Sequence, residues 1–142
     1  MALKPTLSLV TLGVADLERA KNFYIALGWT ALQLPSEGVV FFELDGIMLS
    51  LFPRGELARD AGVEDSKPGF SGISLAHNVG SQKEADAALA HALSCGAKLV
   101  KPMQKVFWGG YSGYFADLDG HLWEVAHNPF ARFNDNGVMR MA

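Results

Sequence analysis

The stretch GGYSGYFADLDGHLWEV, residues 109–125, decides the fold of this chain. Two runs rich in aromatic residues flank a turn at 118–120, which is typical of two antiparallel strands. Side chains alternate between the two faces of a strand, whereas residues three apart share one face of a helix. In a strand, Glu124 therefore points away from both His121 and His127. We predict a strand here, with no His-Glu-His metal site inside it.

Outward from this stretch, the same order of elements is predicted twice. In the first half we predict one amphipathic helix, from Asp16 to Leu27, and strands at 7–14, 29–34, 39–44 and 47–52. In the second half a helix begins at the capping box Ser81 to Glu84, and strands are predicted at 70–79, 97–108, 111–117 and 121–127. Each half therefore has the order β-α-β-β-β, and its helix can cover one face of its sheet.

The chain is predicted to form a single domain. Module 1 covers about 7–53, a connector 54–69, module 2 about 70–128 and a C-terminal tail 129–142, because repeated units of similar order favour paired modules. The connector is rich in charged residues, Gly and Pro, although its ELARDAG segment is compatible with a short helical turn.

Composition excludes several classes of function. The formal net charge is −3 for 142 residues, and no basic cluster suits a nucleic-acid backbone or an anionic membrane. No apolar run approaches the roughly 18 residues that a membrane span requires. The lone Cys95 fits a reducing compartment. We therefore expect a cytoplasmic protein with no nucleic-acid or membrane partner.

Residues 7–128 resemble the vicinal oxygen chelate superfamily, which includes glyoxalase I, bleomycin-resistance proteins, fosfomycin-resistance enzymes and extradiol dioxygenases. The most specific parts are VTLGVADLERAKNFYIALGW, at 10–29, and the stretch at 109–125. The resemblance implies an α+β fold in which two βαβββ modules form a cupped mixed sheet around a metal or ligand site. It also implies a homodimer, and isologous dimers are the commonest oligomers.

The resemblance further implies four metal-ligand positions, occupied here by Leu9, Ser50, Ser74 and Glu124. Gly72 replaces Ser74 as the third position if that strand is bulged. Only Glu124, in the pattern D-x-D-G-x-x-x-E, is a strong ligand, and Zn, Ni or Fe centres need three or four strong donors. We therefore expect no bound metal and no other cofactor.

Glu124 is the candidate catalytic residue, as a general base or as a polar anchor for a ligand. Aromatic residues beside glycines in FWGGYSGYF, at 107–115, resemble the pocket wall of the family. The candidate ligand-binding residues are Trp108, Tyr111, Tyr114, Ser50 and Ser74.

Three functions are compatible with these residues. The first is a metal-independent protein that binds a small aromatic or partly apolar molecule, similar to the drug-sequestering members. The second is a lyase, isomerase or dioxygenase that uses Glu124 as base or metal ligand. The third is a structural dimer with a vestigial cavity. The missing ligands favour the first over the second, and the retained carboxylate argues against the third.

Overall fold

The computed structural model describes residues 2–34 and 38–141. These residues form two compact units, with the boundary between Ser66 and Lys67. The helices are Leu17–Leu27 (α1), Arg54–Ala61 (α2) and Gln82–Ser94 (α3). The strands are Leu9–Val14 (β1), Val40–Leu44 (β2), Ile47–Pro53 (β3), Leu75–Asn78 (β4), Lys98–Lys105 (β5), Tyr111–Ala116 (β6), Leu122–His127 (β7), Ala131–Phe133 (β8) and Met139–Met141 (β9). The predicted turn at Pro35 lies outside the described residues.

The first unit is a three-stranded sheet, in the order β1-β3-β2, with α1 on one face. β1 and β3 are parallel, and β2 and β3 are antiparallel. Asp16 caps α1 by accepting a hydrogen bond of 3.0 Å from the backbone N–H of Arg19. Gly28 ends the helix with a φ of 121°, a conformation that glycine adopts without a Cβ clash. Both ends of the predicted first helix are confirmed to within a residue.

The predicted strand at 29–34 is wrong. In the described residues this segment forms one isolated bridge, between Ala31 and Phe42, and one further hydrogen bond of 2.9 Å from the N–H of Leu32 to the carbonyl of Phe41. Its start is tied to α1 instead, because Trp29 donates to the carbonyl of Tyr24 at 3.2 Å and stacks on the Tyr24 ring. The alternation of hydrophobic residues at 29–34 gives no sign of these contacts between Trp29 and α1.

The predicted connector contains a full helix of eight residues, α2, rather than a short turn. α2 contacts β1 and β3. A Cβ on Gly13 would lie 3.3 Å from the Cα of Arg54, so glycine allows the start of α2 to approach β1 closely. Arg54 also pairs with Asp65 at 2.8 Å and donates to the carbonyl of Ser66 at 2.8 Å, which fixes the segment after the helix.

The second unit is a four-stranded sheet, in the order β4-β7-β6-β5, with α3 on one face. β4 and β7 are parallel, and the other pairs are antiparallel. Phe115 and Trp123 stack on the helix side, with ring centroids 6.2 Å apart. Ser81 accepts from the N–H of Glu84 at 3.1 Å, which confirms the predicted capping box. β4 is shorter than the predicted strand at 70–79, because Gly72 has a φ of 78° and interrupts the extended backbone.

The predicted tail carries structure of its own. β8 and β9 form an antiparallel hairpin in which Asn134 closes the turn by accepting from the N–H groups of Asn136 and Val138. With its helices and mixed sheets the chain has the predicted α+β class. No helix within the described residues is long and apolar enough to cross a membrane.

Candidate functional site

The segment around Glu124, Leu122–His127, is a strand, β7, so the predicted alternation holds. Glu124 lies on the face of the second sheet opposite α3, which we call the far face. Trp123 and Val125 are buried on the α3 side. The Nδ1 of His127 lies 3.1 Å from the carbonyl oxygen of Val79, and the backbone N–H of His121 donates to Asp117 at 2.9 Å. His121 is bonded within the turn before β7 and His127 contacts the residue after β4, so the two histidines and Glu124 do not form one site.

The central feature of the far face is a pair formed by Tyr114 and Glu124. The two residues are direct cross-strand partners on β6 and β7. The phenol of Tyr114 donates to Oε2 of Glu124 at 3.3 Å, and both residues are half-buried. The pKa of Tyr114 is raised, first by desolvation, then by the negative charge of Glu124 and by their hydrogen bond. The pair therefore combines a neutral phenol with a carboxylate that has acceptor positions left for another donor.

Several of the side chains beside this pair are small. Ala76 on β4 is the partner of Glu124, and the adjacent pair on β6 and β7 is Ser112 with Ala126. On the other side of Tyr114 and Glu124, the next far-face pair on the same two strands is Ala116 with Leu122. Partial exposure lets a small molecule reach both polar groups, which is what a hydrogen-bonding anchor requires.

The three aromatic candidates do not form one cluster. Tyr111 is three residues from Tyr114 and lies on the α3 side, where its phenol donates to Asp86 at 2.7 Å. The pKa of Tyr111 is raised, mainly by this hydrogen bond, with smaller contributions from desolvation and from the charge of Asp86. Trp108 is 37% exposed in the turn before β6, and its ring lies over Gly110. The structure thus brings Tyr114, and not Tyr111, to Glu124.

Ser50 and Leu9 lie on the first sheet, on the face opposite α1. Ser50 is only 2% exposed, and its hydroxyl lies 2.7 Å from that of Thr11 on the neighbouring strand. The hydroxyl is thus already engaged by another side chain. Leu9 is 39% exposed and has no donor atom in its side chain. Ser74 is exposed just before β4.

A transition-metal centre of the family type does not fit these residues. The four positions offer one carboxylate, two hydroxyls and a hydrocarbon, and hydroxyls are weak ligands beside imidazole, thiolate or carboxylate. Within residues 2–34 and 38–141, no group of three or more His, Cys, Asp or Glu side chains is placed to hold one metal ion.

Sequence reasoning missed three residues that define the surroundings of these candidates. Thr11 engages Ser50, Asp86 engages Tyr111, and Lys101 on β5 is the cross-strand partner of Tyr114. Each contact depends on which strand or helix lies next to the candidate. Thr11 and Asp86 carry no local signal for it, and Lys101 lies at an irregular position of the ladder that a period of two residues does not predict.

The sequence model of the glyoxalase/bleomycin resistance protein/dioxygenase superfamily matches residues 6–125. The chain belongs to this superfamily. The resemblance predicted from the residues is confirmed, and with it the fold class. Superfamily membership does not by itself identify a reaction, because one fold supports many activities. No curated protein sequence matches the chain.

Solved structures agree with this assignment. The chain is similar to a glyoxalase-related enzyme from Fulvimarina pelagi, with 31% identity and a TM-score of 0.90 over 98% of this chain and 99% of that one. It is also similar to a glyoxalase/bleomycin resistance protein/dioxygenase from Nocardioides, with 26% identity and a TM-score of 0.73 over 89% and 85% of the two chains. A lactoylglutathione lyase from Agrobacterium tumefaciens shares the fold at 22% identity, with a TM-score of 0.64 over 88% and 95%.

Proposed function

We propose that this superfamily member binds a small aromatic or partly apolar molecule without a metal, on the far face of its second sheet. Glu124 is the polar anchor, and Tyr114 orients it. The observation that carries the proposal is the hydrogen bond of 3.3 Å between the two side chains. Glu124 is also the one family ligand position at which a strong metal ligand is retained.

The chemistry of the pair defines what the ligand offers. A carboxylate accepts hydrogen bonds and donates none, so the ligand presents a hydroxyl or an amine to Glu124. The aromatic ring of Tyr114 and the small residues beside it favour a flat, partly apolar body. A phenol or an aromatic amine meets both requirements.

The other candidate ligand-binding residues have different roles in this proposal. Trp108 and Ser74 are exposed and remain proposed ligand contacts. Ser50 is engaged with Thr11, and Tyr111 supports α3 through Asp86. We assign these last two residues to structure rather than to the ligand.

We further propose that the protein works as a cytoplasmic homodimer. Its lone cysteine is compatible with a reducing compartment, and closed two-fold dimers are the commonest oligomers. Light scattering during size-exclusion chromatography tests the dimer, and a monomeric mass at working concentration contradicts it.

A second candidate function is enzymatic. The similarity at 31% identity to a protein described as a glyoxalase-related enzyme favours it. In this case Glu124 serves as the general base, or as a metal ligand, in a lyase, isomerase or dioxygenase reaction. A carboxylate that already accepts one hydrogen bond has lone pairs left for a substrate proton.

Metal analysis combined with thermal shift separates the two candidates. We expect protein purified without chelator to hold no stoichiometric transition metal, and methyl 4-hydroxybenzoate to raise its melting temperature, since a ligand that binds only the folded state stabilises it. Glu124→Gln should lose this shift. The matched control is Asp86→Asn, which removes the carboxylate from the other tyrosine pair, on the opposite face. A tightly held stoichiometric metal contradicts the binding proposal and favours the enzyme.

A further inference from the structure

The ladder between β5 and β6 is irregular at one place. Leu99 pairs with Phe115, Lys101 with Tyr114 and Gln104 with Ser112, with a register shift on each side of Lys101. A regular ladder extended from the Leu99–Phe115 pair would place Val100 opposite Tyr114. One extended from the Gln104–Ser112 pair would place Pro102 there. Either choice would turn Lys101 toward α3, because side chains alternate. The irregularity instead makes Lys101 the Cα partner of Tyr114, whose side chain lies on the far face.

Gly113 makes this irregularity possible. A Cβ at Gly113 would lie 2.8 Å from the backbone oxygen of Lys101 and 2.8 Å from the sulfur of Met103. Such distances are too short for ordinary contacts, so the bulged part of β5 occupies the space that a side chain would need. The adjacent Pro102 has no N–H to donate to a regular ladder. Gly113 and Pro102 therefore both favour the bulge.

The result is a polar row across three strands. Lys101 is the partner of Tyr114, which in turn is the partner of Glu124. With neighbouring strands about 4.8 Å apart, the two charged residues are separated by about 10 Å at the backbone, with the phenol between them. A flexible lysine side chain can shorten this distance considerably. Bulges often re-aim a side chain beside a functional site.

We propose that Lys101 binds an anionic group of the ligand, so that the far face selects small aromatic acids with a hydroxyl or amine at the opposite end. The inference rests on the proposed function of the Tyr114–Glu124 pair and specifies its ligand class. The acid contacts the Lys101 ammonium, the ring lies beside Tyr114, and the donor reaches Glu124. A lysine on an edge strand also discourages edge-to-edge pairing, but Lys98 and Lys105 on β5 serve that purpose equally.

The test compares 4-hydroxybenzoate with its neutral methyl ester by calorimetric titration. We expect the native protein to prefer the acid by about five- to tenfold, as a partly exposed charge pair supported by hydrogen bonds provides. Lys101→Met should abolish the preference while leaving the affinity for the ester within about twofold. Lys101→Arg should retain it. The matched control is Lys105→Met, since Lys105 pairs with Tyr111, whose side chain lies on the α3 side.

Each outcome has a defined meaning. Equal binding of acid and ester by the native protein overturns the role of Lys101 and leaves the proposed function standing. Failure of both compounds to bind overturns both proposals. An equal loss of preference in Lys101→Met and Lys105→Met assigns the preference to overall charge and also overturns the inference. Ester binding by each variant verifies that it has folded.

Discussion

At the scale of single residues, β6 carries two tyrosine–carboxylate pairs with different surroundings. Tyr114 and Glu124 lie on the far face, half-buried, at 3.3 Å, whereas Tyr111 and Asp86 lie on the exposed rim of α3 at 2.7 Å. The shorter bond connects a helix to the sheet. The longer one connects two strands that the backbone ladder already joins, so it adds little to the fold. The far-face pair is therefore the one that can rearrange around a ligand.

The ionisation of Tyr114 tests its dependence on Glu124. Its pKa is raised, so the folded protein keeps this phenol neutral at pH values at which an unfolded tyrosine, with a pKa near 10, ionises. The corresponding stability is present below pH 10 and is lost as the pH rises through the raised pKa. In a Tyr111→Phe background, Glu124→Gln should lower the pKa of Tyr114 only partly, because desolvation remains. Ultraviolet titration of tyrosinate measures this, and an unchanged midpoint would show that Glu124 does not act on the phenol.

Ser50 and Ser74 both occupy family ligand positions but should respond differently to mutation. Ser50→Ala removes the buried hydrogen bond to Thr11 and should lower the free energy of unfolding by about 1 kcal/mol. Ser74→Ala, at an exposed site, should change it by less than about 0.5 kcal/mol. Urea denaturation measures both. If Ser50→Ala left stability intact and instead weakened binding of methyl 4-hydroxybenzoate, Ser50 would belong to the ligand site.

At the scale of elements, local signals predicted most of the fold. The helices α1 and α3 follow from their caps, Asp16 and Ser81, and from their apolar stripes. Six strands follow from alternation between turn residues, with ends shifted by at most three residues. The errors share a physical cause: the pattern at 29–34 cannot show that Trp29 is held by α1, and the β5 pattern cannot show the bulge at Lys101. Both depend on contacts with a neighbouring element, which the alternation of hydrophobic residues within one segment does not show.

The bulge of β5 leaves no room for a side chain at Gly113. Gly113→Ala should destabilise the protein by about 1–3 kcal/mol, because the added Cβ would collide with the backbone of Lys101. Gly55→Ala is the matched control. Gly55 lies in α2 with open space around its Cα and should gain a few tenths to about 1 kcal/mol. Thermal and urea unfolding measure both changes. A neutral Gly113→Ala would mean that β5 can adopt a regular register.

At the scale of the whole molecule, two compact units are joined through a stretch without helix or strand at 63–74. Phe70 is 81% exposed there. Phe107 is even more exposed, but it lies in a turn closed by a hydrogen bond of 3.0 Å between Val106 and Gly110. Proteases need several residues of freely accessible backbone, which favours the first location.

Brief chymotrypsin treatment should therefore cut after Phe70 before it cuts after Phe107. Mass spectrometry of the first fragments identifies the site, and Phe70→Ser should remove that cleavage without changing the melting temperature. First cleavage at Phe107 would show that the turn before β6 opens more readily than the stretch between the units.

The candidate site was predictable in part. The sequence pattern correctly predicted that Glu124 lies on a strand, on the face opposite to His121 and His127, because the period of a strand is a local property. It grouped Tyr111 with Tyr114, although their odd separation puts them on opposite faces of β6. Lys101 could not be found at all, since its position depends on an irregular register.

The most direct test of metal-independent binding through Glu124 is calorimetric titration of methyl 4-hydroxybenzoate into protein treated with a strong chelator. We predict that the affinity is the same before and after chelation and falls by about tenfold or more in Glu124→Gln, as expected for loss of a charged hydrogen-bond acceptor. Asp86→Asn should bind like the native protein. Binding that disappears on chelation and returns with added divalent metal, or that survives unchanged in Glu124→Gln, would contradict the proposal.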